Sequence, residues 1–410
     1  MTNRVGIADV HDYEVSRHIN RLVSFLGANK VERCIQKYHA SLQSSGPVFR
    51  DYYLKYRHPW WNAFSEFVKL EKAGKSIPRN LTEGLKILAG DAKKVTTLQR
   101  LMPDAVKEKY RRDLIDDNRA NDYLFEIDIA WHFFQKGYEL EWYENGLESH
   151  SEFLVRAPEF EFNVECKRIS VDISRRIRRR DFYRLAEQLI PKIAHMGYSG
   201  AIDIVLKDKL HGNDSFLNEL ASQVVSEGCN GRVKGDFQIP LGSLVLELVP
   251  ANGNPVDLYE RLNHLWKRKS EQAHGAIFAK SQNRKPVDPV ELTLMCERAD
   301  NVLDGIRDRI MKAKTQLNES KPGLIACFLA GVDDLRELAK DSGLQIMSSL
   351  LLAKETFSHI AGISYSSEPH VERSADSERF FNQALIFRNP HCRYEKAKDF
   401  QFLSGEQEDG

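Results

Sequence analysis

The 410-residue sequence lacks an excess of charge of either sign, because Lys and Arg together number 59 and so do Asp and Glu. A formal net charge of zero excludes binding to nucleic acid through overall basicity, so any such binding needs a local concentration of positive charge. Cysteine is scarce as well, and the six cysteines lie far apart with no CxxC pair. This spacing argues against a disulfide framework or a zinc knuckle and is typical of reduced thiols in the cytoplasm.

Long apolar runs are absent too. The longest one, residues 323–331, has about half the length that a membrane span needs. The N-terminal residues MTNRVGIADVHDYE contain no apolar signal core. The sequence therefore predicts a cytoplasmic protein that has no membrane segment.

The motifs of several common enzyme classes are missing. The chain contains no Walker A loop, no GxGxxG after a strand, no HExxH and no GxSxG. Nucleotide hydrolysis by a P-loop, dinucleotide binding, zincin chemistry and nucleophile-elbow hydrolysis therefore have no support. The 13 histidines are scattered and indicate no tetrahedral metal site.

Hydrophobic periodicity predicts an α/β protein whose helical part comes first. Residues 1–118 have helical spacing and no clear strand, which predicts a helical N-terminal domain. Residues 119–210 are predicted to form a mixed sheet flanked by helices. Residues 211–403 are predicted to be an α/β C-terminal region, either an accessory domain or an extension of that sheet, and residues 404–410 to be an acidic tail.

The predicted mixed sheet has a definite order of elements. A helix over 118–137 comes first, and a turn at Asn145–Gly146 separates the first two strands. The strands are predicted at 138–144, 151–157 and 159–170. A helix at 181–194 and a strand at 201–207 would complete a helix-strand-strand-strand-helix-strand core. A second helix and strand, at 300–330, compete for the same place beside the third strand.

Charged residues gather on and around the third predicted strand, EFEFNVECKRIS. Because side chains alternate along a strand, Glu165 and Lys167 point to one face and Cys166 to the other. Another carboxylate, Glu152, lies on the preceding strand, thirteen residues earlier. On the first helix, Glu126 is followed by apolar residues at i+3, i+4 and i+7, so it lies in or beside the apolar stripe. Spacing alone favours a place at the rim, from which Glu126 reaches solvent.

A basic segment follows the third strand directly. Residues 167–184 contain eight Lys or Arg against two Asp. Such a cluster is either a solvated face or a seat for a phosphate backbone. Its arginines are Arg168, Arg175, Arg176, Arg178, Arg179, Arg180 and Arg184. Gln188, in the helix that follows, is a further candidate for facing the site.

About a fifth of the chain, from residue 126 to about residue 207, resembles the PD-(D/E)xK nuclease superfamily. Restriction endonucleases, Holliday-junction resolvases and repair nucleases share this restriction-endonuclease-like fold. Glu165 and Lys167 match the (D/E)xK element. Glu152 lies where the family has a strand-borne aspartate, and Glu126 matches the helix glutamate of many members.

One position departs from the family pattern, because Ser151-Glu152 replaces the usual Pro-Asp. The extra methylene displaces the carboxylate by about 1 Å, which leaves an altered metal geometry or a degenerate site open. The resemblance implies Mg²⁺ as cofactor, with Mn²⁺ as a substitute, bound by Glu152, Glu165 and the carbonyl oxygen of Cys166. Lys167 would orient the attacking water or stabilise developing charge, and Glu126 would hold a second metal ion or a water.

The activity implied by the resemblance is that of a Mg²⁺-dependent endonuclease that hydrolyses phosphodiester bonds of DNA, in restriction or anti-phage defence. RNA stays open as a substrate. Two alternatives remain: a catalytically degenerate nucleic-acid-binding protein, and an assembly or protein-interaction component. Double-strand cutting with one site per chain would favour a homodimer, and a defence setting would favour a partner protein.

Overall fold

The computed structural model describes residues 8, 10–143, 151–229, 233–258, 261, 274–283, 285–332, 342–367, 370–374, 377–381, 384–398 and 400–403. The predicted turn at Asn145–Gly146 and the predicted acidic tail lie outside these residues. The chain forms two compact units, each built from segments that are distant in sequence. The first unit comprises residues 1–38, 58–171 and 302–410, and the second comprises residues 39–57 and 172–301.

The chain before the first strand is helical, as predicted. Its α-helices, α1 to α7, span Val15–Leu26, Ala28–Ser44, Pro47–Tyr52, Trp61–Lys72, Glu83–Leu98, Asp104–Asp113 and Ala120–Gln135. Apolar residues at three- and four-residue spacing bury one face of each longer helix. In α1, for example, Ile19, Leu22 and Leu26 are buried, and the helix packs on α5. No helix in the described part of the chain is long and apolar enough to cross a membrane.

Strands and further helices make up the rest of the described chain, an α/β architecture as predicted. The strands, β1 to β13, span Glu139–Trp142, Phe153–Arg156, Glu161–Ser170, Tyr198–Leu206, Lys234–Ile239, Gly242–Pro250, His274–Gln282, Lys285–Cys296, Gly323–Ala330, Ile360–Ser367, His370–Ser374, Ser377–Phe381 and Ala384–Arg388. The helices, α8 to α12, span Arg179–His195, Asp214–Cys229, Val302–Gln316, Gly343–Leu352 and Glu395–Lys398.

The first unit contains a six-stranded mixed sheet in the order β1-β2-β3-β9-β10-β13. Strands β1, β2 and β3 form the predicted antiparallel meander. Strand β9 then pairs with β3 in parallel, with Ile325 beside Glu165 and Cys327 beside Lys167. Helix α7 packs on β3, and α10 packs on both β3 and β9. Strand β3, which carries Glu165 and Lys167, is therefore a central strand of its sheet.

The second unit contains a five-stranded mixed sheet in the order β5-β6-β4-β8-β7. Strands β4 and β8 are parallel, and the other pairs are antiparallel. Helices α8 and α9 pack together, and α8 also packs on the sheet. Apolar side chains of these helices and of β4, such as Leu185, Leu217 and Ile202, form one buried core. This unit therefore has a sheet and a core of its own.

The helix at 181–194 and the strand at 201–207 exist, but the prediction that they complete the sheet of Glu165 is wrong. The strand, as β4, lies in the second unit's sheet. The competing helix and strand at 300–330 complete the first sheet instead, as α10 and β9. Periodicity cannot distinguish the two, because both pairs have the same apolar pattern. The units also cut across the boundaries predicted at 118 and 210, since most of the N-terminal helices share a unit with the first sheet.

One buried lysine connects two helices of the first unit. Lys94, on α5, forms ion pairs with Asp91 at 2.9 Å and with Asp128 on α7. The indole N–H of Trp60 donates to Asp91 at 2.9 Å. Burial alone would lower the pKa of Lys94, but the charges of Asp128 and Asp91 outweigh burial and raise it. Lys94 therefore stays charged and holds α5 against α7.

A buried histidine gives the first unit a defined dependence on pH. The ring of His58 lies 4.0 Å from that of Trp61, accepts a hydrogen bond from the N–H of Trp60 at 3.1 Å and donates to the carbonyl of Leu114 at 3.1 Å. Because Nδ1 is the acceptor, the folded protein holds the neutral ring. Burial lowers the pKa of His58 to about 4.

We expect this histidine to destabilise the fold as the pH falls from 7.5 to 5. His58 binds a proton near pH 6.5 in the unfolded chain but only near pH 4 in the folded one. The stability that is present above pH 6.5 is therefore lost as the pH falls from 6.5 towards 4. The loss from His58 is roughly 2 kcal/mol at pH 5. Denaturant unfolding of the wild type and of His58→Asn at both values measures it. An equal pH dependence in the two proteins would refute the assignment.

Candidate active site

Strand β3 carries the centre of the candidate site. Glu165 is completely buried, and the ammonium group of Lys167 donates a hydrogen bond to its Oε1 atom. The two side chains therefore share a face of the sheet, as predicted from alternation. Burying a carboxylate is costly unless a positive or hydrogen-bonding group meets it, and Lys167 meets this requirement for one oxygen.

The second carboxylate reaches the site from the neighbouring strand. Phe153 pairs with Val164, and the N–H of Glu152 donates to the carbonyl of Val164 at 3.1 Å. Continuing this antiparallel register puts Glu152 beside Glu165, where cross-strand side chains are in contact range. The Nζ atom of Lys109 lies 4.0 Å from Oε2 of Glu152. The replacement of the family's Pro-Asp thus leaves a carboxylate next to Glu165.

Glu126 is buried, so the rim position that spacing favoured is wrong. Its Oε2 atom accepts a hydrogen bond from the hydroxyl of Tyr110 at 2.5 Å, and the indole N–H of Trp142 donates to the same hydroxyl at 3.4 Å. Tyr110 lies on α6, which packs on α7. A neutral hydroxyl donor from the preceding helix, rather than a cation, forms the hydrogen bond to this carboxylate.

Burial makes the three carboxyl groups reluctant to ionise, and the charge of Glu152 adds to this effect at Glu126 and Glu165. Burial, followed by the charge of Glu152, raises the pKa of Glu165 to about 8, although Lys167 opposes the change. Burial and Glu152 also raise the pKa of Glu126 well above its ordinary value. Burial raises the pKa of Glu152, while Lys109 and Lys167 counteract it. The cluster therefore favours an added positive charge.

One oxygen of this cluster has no partner. The Oε2 atom of Glu165 is buried and accepts no hydrogen bond from any group that the structure describes. Buried polar atoms are paired in the great majority of cases, and an exception marks strain, catalysis or an absent ion or water. The unpaired oxygen is therefore the first indication of a ligand at this site.

Cys166 separates Glu165 from Lys167 and is also buried. Burial, and then the negative charge of Glu126, raise the pKa of its thiol well above the ordinary value. The thiol is thus neutral at physiological pH and a poor ligand, because metals bind the thiolate. Only the carbonyl oxygen of Cys166 suits a hard cation, as the resemblance implied.

Sequence reasoning missed Lys109 and Tyr110, which α6 brings to the carboxylates. Tyr123 also borders them, since its ring lies 4.9 Å from that of Tyr110 and 5.2 Å from Nζ of Lys109. Periodicity assigns these residues to a helical domain and gives them no role. The one available signal was the place of Glu126 in or beside an apolar stripe, because a carboxylate buried there requires a partner.

The basic segment is divided between the two units. Arg168 stays in the first unit, where its guanidinium lies 3.9 Å from Asp122 and 6.0 Å from the centre of the Phe328 ring. The remaining arginines, Arg175, Arg176, Arg178, Arg179, Arg180 and Arg184, belong to the second unit. The run therefore does not form one continuous surface within the unit that holds the carboxylates.

Several of these arginines have acidic partners close by. Arg184 forms ion pairs with Asp214 at 2.5 Å and Asp181 at 3.6 Å. Arg176 lies 3.9 Å from Asp208. By contrast, Arg178 and Arg180 are exposed. A role in binding phosphates thus stays a prediction, and these two exposed side chains are its best candidates.

Gln188 lies on α8, in the second unit. Its Oε1 atom is buried and accepts no hydrogen bond from the described residues. The prediction that Gln188 faces the carboxylates required α8 to pack on the sheet that carries them, whereas α8 packs on the second unit's sheet. The basis for that prediction is therefore removed.

The residues present can be tested for their fit to Mg²⁺. In the part of the chain that the structure describes, no group of three or more His, Cys, Asp or Glu side chains is arranged to hold a metal ion. Mg²⁺ does not need three, because it commonly takes one or two carboxylates and completes its octahedron with waters and substrate phosphates. Glu152, Glu165 with its unpaired oxygen, and the Cys166 carbonyl are hard oxygen donors of this kind. The donor set fits.

No protein-family model, no curated protein and no solved structure matches this chain. Function must therefore be argued from the residues and their geometry.

Proposed function

We propose that the chain is a Mg²⁺-dependent endonuclease that hydrolyses phosphodiester bonds of DNA. One observation carries the proposal: the buried Glu126 and Glu165 form a cluster with the partly buried Glu152 and Lys167, and one oxygen of Glu165 has no partner among the described residues. Titratable groups whose pKa values are strongly shifted by burial and by each other are characteristic of functional sites. A purely structural role would not require three carboxylates together.

The arrangement of the first sheet supports the proposal. Helix α7, the meander β1 to β3, helix α10 and strand β9 occur in the order helix-strand-strand-strand-helix-strand. This is the order that the resemblance to PD-(D/E)xK nucleases requires, with the second unit's residues 172–301 inserted after β3. The proposed fold of the core is accordingly restriction-endonuclease-like.

Each residue has a definite part in the proposed reaction. Phosphodiesters resist attack because their anionic oxygens repel a nucleophile, and bound Mg²⁺ supplies charge neutralisation and Lewis acidity. Glu152, Glu165 and the Cys166 carbonyl would hold it. Lys167, whose pKa is raised by Glu165 against the effect of burial, keeps its proton and stabilises charge that develops on the phosphate. Glu126 would hold a water or a second ion.

Glu165→Gln is expected to abolish cleavage while DNA binding persists. The substitution keeps the size of the side chain and removes the charge that holds the ion, so the rate should fall by about 10²–10³-fold. Supercoiled plasmid and single-stranded DNA or RNA, incubated with Mg²⁺, Mn²⁺ or EDTA, provide the measurement. Cleavage that survives EDTA or the substitution would contradict the proposal.

Glu161→Gln is the matched control, because Glu161 lies on the same strand and bonds to Lys321 and Arg156 away from the cluster. It should cleave like the wild type. The second candidate function is a catalytically degenerate nucleic-acid-binding protein. Internal partners for two of the carboxylates and the lack of a described three-residue metal cluster favour it. DNA binding without cleavage, indifferent to metal, is the result that would select it.

A further inference from the structure

The first unit contains a cleft lined by arginines. It has a volume of about 590 Å³ and lies among α1, α6 and the end of α5 with the short 3-10 turn that follows it. Arg17, Arg21, Arg100 and Arg111 line it, together with Phe25 and neutral polar side chains. No carboxylate is among the described residues that line it. The volume is in the range of sites for small ligands.

The helical repeat explains why these residues meet. On α1, apolar residues such as Ile19, Leu22 and Leu26 are buried. Arg17 and Arg21 are one turn apart on the polar side of the same helix. Arg100 follows α5 and Arg111 lies near the end of α6, so three helices contribute guanidinium groups to one place. Their mutual repulsion is unfavourable unless anions compensate it.

Internal acids compensate only part of this charge. Arg17 forms an ion pair with Glu14, and Arg111 forms one with Glu108, each within one helical turn and outside the cleft lining. Arg21 and Arg100 are exposed. The described ion pairs therefore neutralise only two of the four arginines, and the lining of the cleft keeps a surplus of positive charge.

Arg111 contributes a guanidinium group that is held in place at the cleft. Its guanidinium lies 4.9 Å from the centre of the Phe25 ring, which fixes its plane. Its Nε atom is buried and has no acceptor among the described residues. An unpaired N–H of a charged group is unfavourable when it is buried. An anion in the cleft would offset this positive charge electrostatically without touching the Nε atom.

We propose that this cleft binds the phosphate groups of a nucleotide or of a nucleic-acid strand. Guanidinium groups present paired N–H donors that match phosphate oxygens, and several of them suit a multiply charged ligand better than a single carboxylate. The one aromatic ring in the lining is already covered by Arg111, so it offers no free face for stacking a base. Recognition is thus directed at phosphate and not at the base. This inference does not depend on nuclease activity.

The cleft also shares a helix with the candidate active site. Arg111 follows Lys109 and Tyr110 on α6, and these two residues contact the carboxylates. Successive residues of a helix are about 100° apart, so one helix can serve both places. The binding experiment is therefore done in EDTA, so that cleavage does not enter the result.

The test compares two double variants that each remove two exposed positive charges. Arg21→Gln/Arg100→Gln alters the cleft, and Arg33→Gln/Arg79→Gln is the control on other parts of the first unit. Fluorescence anisotropy with a labelled DNA oligonucleotide over a range of salt concentrations measures the affinity for a strand. Calorimetry with ATP and with inorganic triphosphate measures the affinity for a free polyphosphate. Thermal unfolding confirms that each variant folds.

The expected result is a loss of affinity of about tenfold or more that is specific to the cleft variant. If the strand is the ligand, the slope of log affinity against log salt should fall by about one per arginine removed. If a free polyphosphate is the ligand, calorimetry loses its signal and DNA affinity matches the control. Equal affinities in the two double variants for every probe, or no binding of any probe by the wild type, would overturn the proposal.

Discussion

Lys167→Ala is expected to lower the rate of DNA cleavage by about 10²–10³-fold. The ammonium of the partly buried Lys167 donates to the completely buried Glu165, where water screens charge poorly. A preorganised cation in such a place contributes mainly to the transition state, because the charge on phosphate grows there. The rate constant under saturating DNA should therefore fall, whereas the affinity for DNA changes little. Single-turnover cleavage and binding in EDTA measure the two quantities separately.

Lys321→Ala is the control for this variant. Lys321 also forms an ion pair with a glutamate of β3, Glu161, but the pair is partly exposed. Exposed ion pairs contribute about 0–1 kcal/mol, so neither rate nor stability should change much. If Lys167→Ala cleaved as fast as Lys321→Ala, the position of Lys167 in the mechanism would be wrong.

Lys94→Met is expected to cause the largest loss of stability, about 3 kcal/mol. The methionine fills much of the same volume, but Asp91 and Asp128 lose the cation that compensates them. The two partly buried carboxylates must then be neutralised or hydrated, and either outcome weakens the packing of α5 on α7. The midpoint of thermal or denaturant unfolding of the first unit measures the loss.

Lys86→Met is the matched control on the same helix. Lys86 lies 3.6 Å from Asp12, and both side chains are 58% exposed, so the loss should be well below 1 kcal/mol. Adding Asp128→Asn to Lys94→Met should restore part of the stability, because it removes one of the stranded charges. Equal losses for Lys94→Met and Lys86→Met would show that the buried pairs contribute nothing.

The sequence was sufficient for the local parts of this fold. Alternation along β3 is a property of one strand, so it predicted that Glu165 and Lys167 share a face. Apolar periodicity and turn signals likewise located the meander and the helices at 118–137 and 181–194 near their observed ends. These features depend on neighbouring residues, which a single sequence displays directly.

Long-range pairing could not be predicted in the same way. The choice between β4 and β9 as the neighbour of β3 depends on which apolar faces fit, and both strands read as buried. The burial of Glu126 depends on Tyr110, a residue whose hydroxyl is brought by tertiary packing of α6. The division of the basic segment between two units has the same cause. In each case the outcome depends on tertiary packing, which local sequence patterns do not display.

The insertion after β3 has a consequence for the newly made chain. Glu165 and Lys167 are synthesised long before Ile325 and Cys327, the residues that pair with them on β9. At roughly 5–20 residues per second, the interval is on the order of ten seconds. In that time one side of β3 remains an open edge, and the residues of the second unit emerge. A chain interrupted before residue 323 would hold every proposed ligand side chain yet lack the strand that pairs with Glu165 and Lys167, so the proposed activity should require the synthesis of β9.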